Sequence, residues 1–320
     1  SMASFTAAGT SAVTHGKPMV PFFVFYSMFG FQRVGDLIWA FGDMRGKGFL
    51  CGATAGRTTL NGEGLQHADG HSLLLAASVP NLAAYDPAFA YELGVIVEDG
   101  LRRMYGPDPE DVFYYLTLYN ENYVMPSMPE GPNPGDTEEG IRRGLYRFAP
   151  APEGPSRKAT IIFSGTAQGA AREARQVLAE EHDVAAELWS ATSYKALRED
   201  AQSVERWNRL HPTETPRTPY VTEALSGAPG PVLAVTDFMK AVPDQVARWV
   251  PHGYVSLGTD GYGRSDTRAN LRRHFETDTA HVVVGVLNAL AQAEDAKPQE
   301  VADAIAKYGV DAEAVDPLRA

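Results

Sequence analysis

The residues 52–72, GATAGRTTLNGEGLQHADGHS, hold the densest set of groups able to do chemistry. Gly62, Gly64 and Gly70 open backbone conformations closed to other residues, and Glu63, Gln66, His67, Asp69 and His71 stand among them. A glycine-rich loop carrying polar side chains after a buried strand is a common form of α/β active site. Three chemistries suit these residue types. His67, Asp69 and His71, at alternate positions of a loop, could converge on a zinc or iron ion and serve a metal-dependent hydrolase. The histidines can instead hold a buried loop by hydrogen bonds. They can also move protons with no metal present. A phosphate-binding loop is disfavoured: Gly52-x3-Gly56-Arg57-Thr58-Thr59 is one residue short, and arginine stands where lysine would reach the phosphates.

Two further stretches carry candidate groups. In FYSMFGFQRVGD (25–36), Tyr26, Phe29 and Phe31 fall at a strand end, just before a helix. Aromatics there can stack a flat heterocycle or simply fill a core. In GTDGYGRSDTRANLRRHFE (258–276), the glycines do not follow the dinucleotide-binding order. Arg264, Arg268, Arg272, Arg273 and His274 form a local positive face, read here as pairing chiefly with the chain's own carboxylates.

The elements that must position these groups alternate between strand and helix. Nearly apolar runs at 19–26, 48–54, 81–85 and 112–119 read as parallel strands covered by helices on both faces. Runs at 159–165, 184–191, 231–237 and 254–260 read as strands of a second set, with helices over 167–180, 238–249 and 267–275. Proline-dense segments near 126–134 and 149–157 suit neither a central strand nor a helix interior. Two α/β domains are therefore expected, 1–148 and 158–320, joined by a linker at 149–157. No apolar strand precedes residue 19, so the chain is expected to begin inside its first domain.

Composition narrows the partners. Lys and Arg number 28 against 40 Asp and Glu, a net charge of −12, which opposes a nucleic-acid grip or docking on anionic lipid. Cys51 stands alone, which excludes an intramolecular disulfide and suits a reducing, cytoplasmic setting. The longest charge-free stretch near the start, Pro18 to Phe31, falls short of the roughly 20 apolar residues that cross a bilayer.

FYSMFGFQRVGDLIWAFGD followed by GATAGRTTLNGEGLQHADGHS resembles the homodimeric bacterial pyruvate dehydrogenase family, the thiamine-diphosphate-dependent decarboxylating components with transketolase-like domains. The likeness continues through YDPAFAYE, LYNENYVMPSMPEG, IRRGLYRF, SATSY, ERWNRLHPTETPRTPY and LGTDGYGRSDTRANLRRHFE, essentially the whole chain. It implies a truncated pyrimidine-binding domain with a parallel sheet, then a transketolase C-terminal-like domain. It implies that Tyr26 and Phe29 embrace the aminopyrimidine of thiamine diphosphate, and that His67 is catalytic, near the reacting carbon. The Mg²⁺ and diphosphate ligands are expected outside these residues, in an N-terminal part or a partner chain.

The implied reaction decarboxylates pyruvate and passes a two-carbon unit to a lipoyl group of an acetyltransferase component. The family's catalytic glutamate would lie upstream of Ser1, and Glu63 does not match it, so the chain alone is expected to be inactive. Met44, Arg45 and Lys47 depart from the family's Gln-rich pattern. The alternative expectation is a separate half-subunit of a split thiamine enzyme, making acyloins or serving only in assembly.

Overall fold

The structure, a computed structural model, describes residues 1–320. Four short strands rich in Phe, Tyr, Leu and Val form the first sheet: β1 (Phe22–Phe25), β2 (Phe49–Ala53), β3 (Leu82–Tyr85) and β4 (Phe113–Leu118). Their order is β1-β2-β4-β3 and every pairing is parallel. Phe49, Leu50, Phe113, Tyr114 and Tyr115 are wholly buried, as central parallel strands require. The edge strand β1 differs from expectation. Phe22 and Val24 are 52 % and 61 % exposed, because only one face of this edge strand is covered.

Helix Ser27–Asp43 leaves β1 and returns the chain to β2, and helix Ala90–Tyr105 links β3 to β4. The second of these begins at Ala90, past the Asp86-Pro87 pair. The Asp86 carboxylate is committed elsewhere, accepting from Thr117 and Tyr119, and the carboxylate of Glu92 caps the helix by accepting from the Ala88 and Phe89 amides.

The second sheet holds β5 (Leu145–Ala149), β6 (Arg157–Phe163), β7 (Val184–Ala191), β8 (Val232–Val235) and β9 (Tyr254–Leu257), in the order β5-β7-β6-β8-β9. Helices Gln168–Glu181 and Thr279–Gln292 bury Ala171, Leu178, Val282, Val286 and Leu290 with this sheet.

Two expectations need correction. Residues 145–149 pair antiparallel with β7, so the chain already belongs to the second sheet before the linker placed at 149–157. An antiparallel edge strand lacks the continuous apolar run of a buried parallel one, and LYRFA was hidden for that reason. The helix expected over 238–249 is only a 3₁₀ run, Pro243–Trp249, because the backbone at 239 bonds to the glycine-rich loop instead of a helical turn.

The sheets are not independent. One apolar cluster runs from Phe49 and Tyr115 through Ile141 and Leu145 to Val232 and Phe238.

Candidate active site

In a parallel sheet the loops at the carboxyl ends of the strands gather on one side, where α/β proteins place their sites. The turn after β1 carries Tyr26 and Phe29, and the loop after β2 carries His67. These three residues meet. The His67 ring lies 5.0 Å from Tyr26 and 5.3 Å from Phe29, edge-on to both at 72°. Tyr26 is 57 % exposed, so part of its ring remains open. His67 Nδ1 is buried and has no hydrogen-bond partner, and Arg33 lies 4.1 Å over the Phe29 ring. Phe31 takes the other reading. It is buried, with its ring edge-on to Tyr115, and fills the core.

Asp69 and His71 leave His67. Asp69 is wholly buried, and its Oδ1 accepts from the His71 and Ser72 amides at the start of helix Ser72–Ala77. His71 Nε2 lies 2.7 Å from Gln32 Nε2. The three groups do not assemble as a metal set, and nowhere in the chain do three His, Cys, Asp or Glu side chains stand as one.

The loop is gripped from the second domain. Its neck is closed by an isolated bridge between Gly56 and Asp69. The Thr58 amide donates to both Asp237 oxygens, at 3.1 and 3.2 Å, and the Met239 amide donates to the Gly70 carbonyl at 2.9 Å. Arg57 is buried under the loop and donates to the Thr259 carbonyl. Arg268 donates to the Thr59 carbonyl at 2.9 Å. Arg272 donates to Thr58 and, through both terminal nitrogens, to Glu121. Arg273 pairs with Asp278. The positive face expected at 264–274 is thus spent largely inside the chain, on loop carbonyls as much as on carboxylates.

Burial sets the acidity of this junction. Asp237 is pushed up to about 7, chiefly by loss of water, with Arg272 and the Thr58 bonds pulling the other way. Asp86, beneath it, is raised for the same first reason.

The chain as a whole matches known proteins. Residues 1–126 match the family model described as pyruvate dehydrogenase E1 component middle domain, and residues 144–278 match the transketolase-like C-terminal domain. The chain is 52 % identical over 318 residues to the pyruvate dehydrogenase E1 component of Pseudomonas aeruginosa, covering 99 % of this chain and 35 % of that protein. The counterpart in Mycobacterium tuberculosis is 54 % identical over 317 residues, with 99 % and 34 % covered. The chain belongs to the pyruvate dehydrogenase E1 family.

It spans about a third of the length of these E1 relatives, in their C-terminal region. The fold agrees. Transketolase from Leishmania mexicana superposes with a TM-score of 0.60 at 17 % identity, over 86 % of this chain and 34 % of that one. A split-gene transketolase, described as an inactive β4 tetramer, superposes with a TM-score of 0.59 at 17 % identity, over 91 % and 81 %. The first domain match ends at residue 126 and the second begins at 144, where the chain passes from one sheet to the other.

In this E1-family chain, Met44, Arg45 and Lys47 stand away from the ring cluster. They precede β2 at the opposite end of the sheet, where Arg45 faces Asp111 and Lys47 donates to the Met104 carbonyl. Sequence reasoning missed Arg57 and Asp237 as loop-holding groups. Their signal was chemical: a buried strand leading straight into an arginine, and an Asp closing PVLAVTD.

Proposed function

We propose that this chain forms the pyrimidine-facing wall of the thiamine diphosphate site in a pyruvate-decarboxylating E1 enzyme of the cytoplasm. The observation that carries the reading is the meeting of Tyr26, Phe29 and His67 at the carboxyl end of β1, with an open aromatic face and an unpartnered imidazole nitrogen. These residues fit a flat heteroaromatic group.

Thiamine diphosphate supplies an electron sink for decarboxylating a 2-oxo acid. The Tyr26 and Phe29 rings would hold its pyrimidine by stacking and edge contacts. Arg33 braces the Phe29 ring by a cation–π contact. His67 would hold or release a proton at Nδ1, or bond the substrate carboxylate there, since no internal group uses that nitrogen. The loop's fixed neck keeps the imidazole facing the aromatic pair.

The Mg²⁺ and diphosphate are assigned to the part of the E1 relatives' length that this chain does not span. The two-carbon product is assigned to a lipoyl group of an acetyltransferase component, and the working enzyme to a homodimer. On this reading the 320 residues alone do not turn over pyruvate with thiamine diphosphate and Mg²⁺.

The test is cofactor titration of the full-length enzyme. Tyr26→Ala and Phe29→Ala should each weaken thiamine diphosphate binding about threefold to tenfold, the worth of one aromatic pair. Unchanged binding in both variants, or turnover by the 320-residue chain, would refute the assignment.

A further inference from the structure

We infer that Asp237, in the second domain, is a positioning residue for His67, acting through the outgoing stem of the loop that carries it, to which the Gly56–Asp69 bridge joins the returning stem. The inference rests on the functional reading above for its consequence in turnover, but its structural content stands on contacts already described.

The segment 237–239 follows β8 and meets the loop twice. On the outgoing stem, the Asp237 carboxylate accepts the Thr58 amide on both oxygens, and the Asp237 carbonyl accepts the Arg57 amide at 3.3 Å. On the returning stem, the Met239 amide donates to the Gly70 carbonyl. The stems themselves are joined by the Gly56–Asp69 bridge. His67 therefore hangs from a neck held at two points by Asp237 and Met239 of another domain.

The fit is close enough to dictate residue types. A Cβ on Gly56 would stand 2.1 Å from Asp237 Oδ2, and Gly56 has φ +86°. A Cβ on Gly70 would stand 2.3 Å from Arg57 Nε. Asp237 is held in turn: Thr166 Oγ1 lies 3.4 Å from Oδ2, and Thr259 Oγ1 donates to its carbonyl at 3.0 Å. No other side-chain carboxylate receives a bond from the backbone of residues 56–60.

A displacement of about 1 Å at a catalytic group can cost on the order of a hundredfold in rate, so a shift at the loop stem reaches turnover through His67. The experiment uses the full-length enzyme with saturating thiamine diphosphate, comparing Asp237→Ala with Asp237→Asn. Hydrogen exchange is followed over residues 56–70, alongside pyruvate kinetics.

In Asp237→Ala, exchange at 56–70 should rise and kcat should fall by roughly tenfold to a hundredfold, with KM for pyruvate within about twofold. Asp237→Asn keeps an oxygen for the Thr58 amide and should recover most of both. If Asp237→Ala does not accumulate, Gly56→Ala displaces the carboxylate from the same contact and should give the same pattern.

Native exchange or native kcat in Asp237→Ala would overturn the inference. So would an equal loss in the Ala and Asn variants, which would assign the effect to charge. An enzyme lacking thiamine-dependent pyruvate turnover would sink the functional reading instead, and exchange alone would then decide whether Asp237 holds the loop.

Discussion

His67 is the residue on which the chemistry turns, and its surroundings define what its loss should do. It contacts two rings by their edges and gives no hydrogen bond from Nδ1 to the protein. Removing it leaves no buried partner stranded. His67→Ala in the full-length enzyme should therefore lower turnover by about a hundredfold or more, with the melting midpoint little changed. Steady-state kinetics beside a thermal melt checks this, and native turnover would return His67 to a packing role. Asp237 carries a different signature. Its pKa in the fold, about 7, lies above the ordinary Asp value of 3.8. The folded state therefore holds this proton more tightly than the unfolded chain. The stabilisation is full below about pH 4 and is lost as pH rises through about 7. Charged and titrating neighbours (Arg272, Arg57, Asp86 and Tyr119) bear on the same group. Asp237→Asn mimics the neutral form, so its melting midpoint should match the parent most closely near pH 4 and exceed it increasingly up to about pH 8. A constant offset at both pH values would show that the carboxyl does not titrate between them.

Among the elements, the helix Ser72–Ala77 starts beside an acceptor supplied from the loop before it. Asp69 satisfies two of its leading amides while also facing Gly56 across the neck. Asp69→Ala should cost about 1–3 kcal/mol, as the His71 and Ser72 amides lose their buried acceptor, and should raise hydrogen exchange at Ser72 and the loop together. Exchange confined to the helix would show that the neck closes without Asp69. The glycine-rich composition of 52–72 thus serves two ends. Gly62 and Gly64, with φ +96° and +100°, turn the exposed tip, whereas Gly56 and Gly70 are required by close approach at the stems.

Across the whole molecule, a buried acid ties the first domain to the second sheet. Glu92, in the first domain, accepts from Tyr146 of β5 and Ser190 of β7, each at 2.7 Å, as well as from two backbone amides. Burial raises its pKa, and those four donors pull it back. Glu92→Ala would strand donors from both domains at about 1–3 kcal/mol each, and calorimetry should show a clearly lowered midpoint. Glu92→Gln, which can still accept, should lose less. A Glu92→Ala midpoint equal to the parent would mean that water replaces the carboxylate.

The amino-acid order alone marked out the parallel strands, because fully buried strands read as unbroken apolar runs such as FYYLTL, and it singled out Tyr26, Phe29 and His67 by type and by family likeness. It did not reveal β5, whose antiparallel partner lies some forty residues on, or the open face of β1. Residue type alone did not separate Phe31 from Phe29; family likeness did, and packing then sends Phe31 to the core. Asp69 and Asp237 were beyond the amino-acid order: a carboxylate's role depends on which amides face it, and those amides arrive from distant chain positions only when the two sheets close on each other.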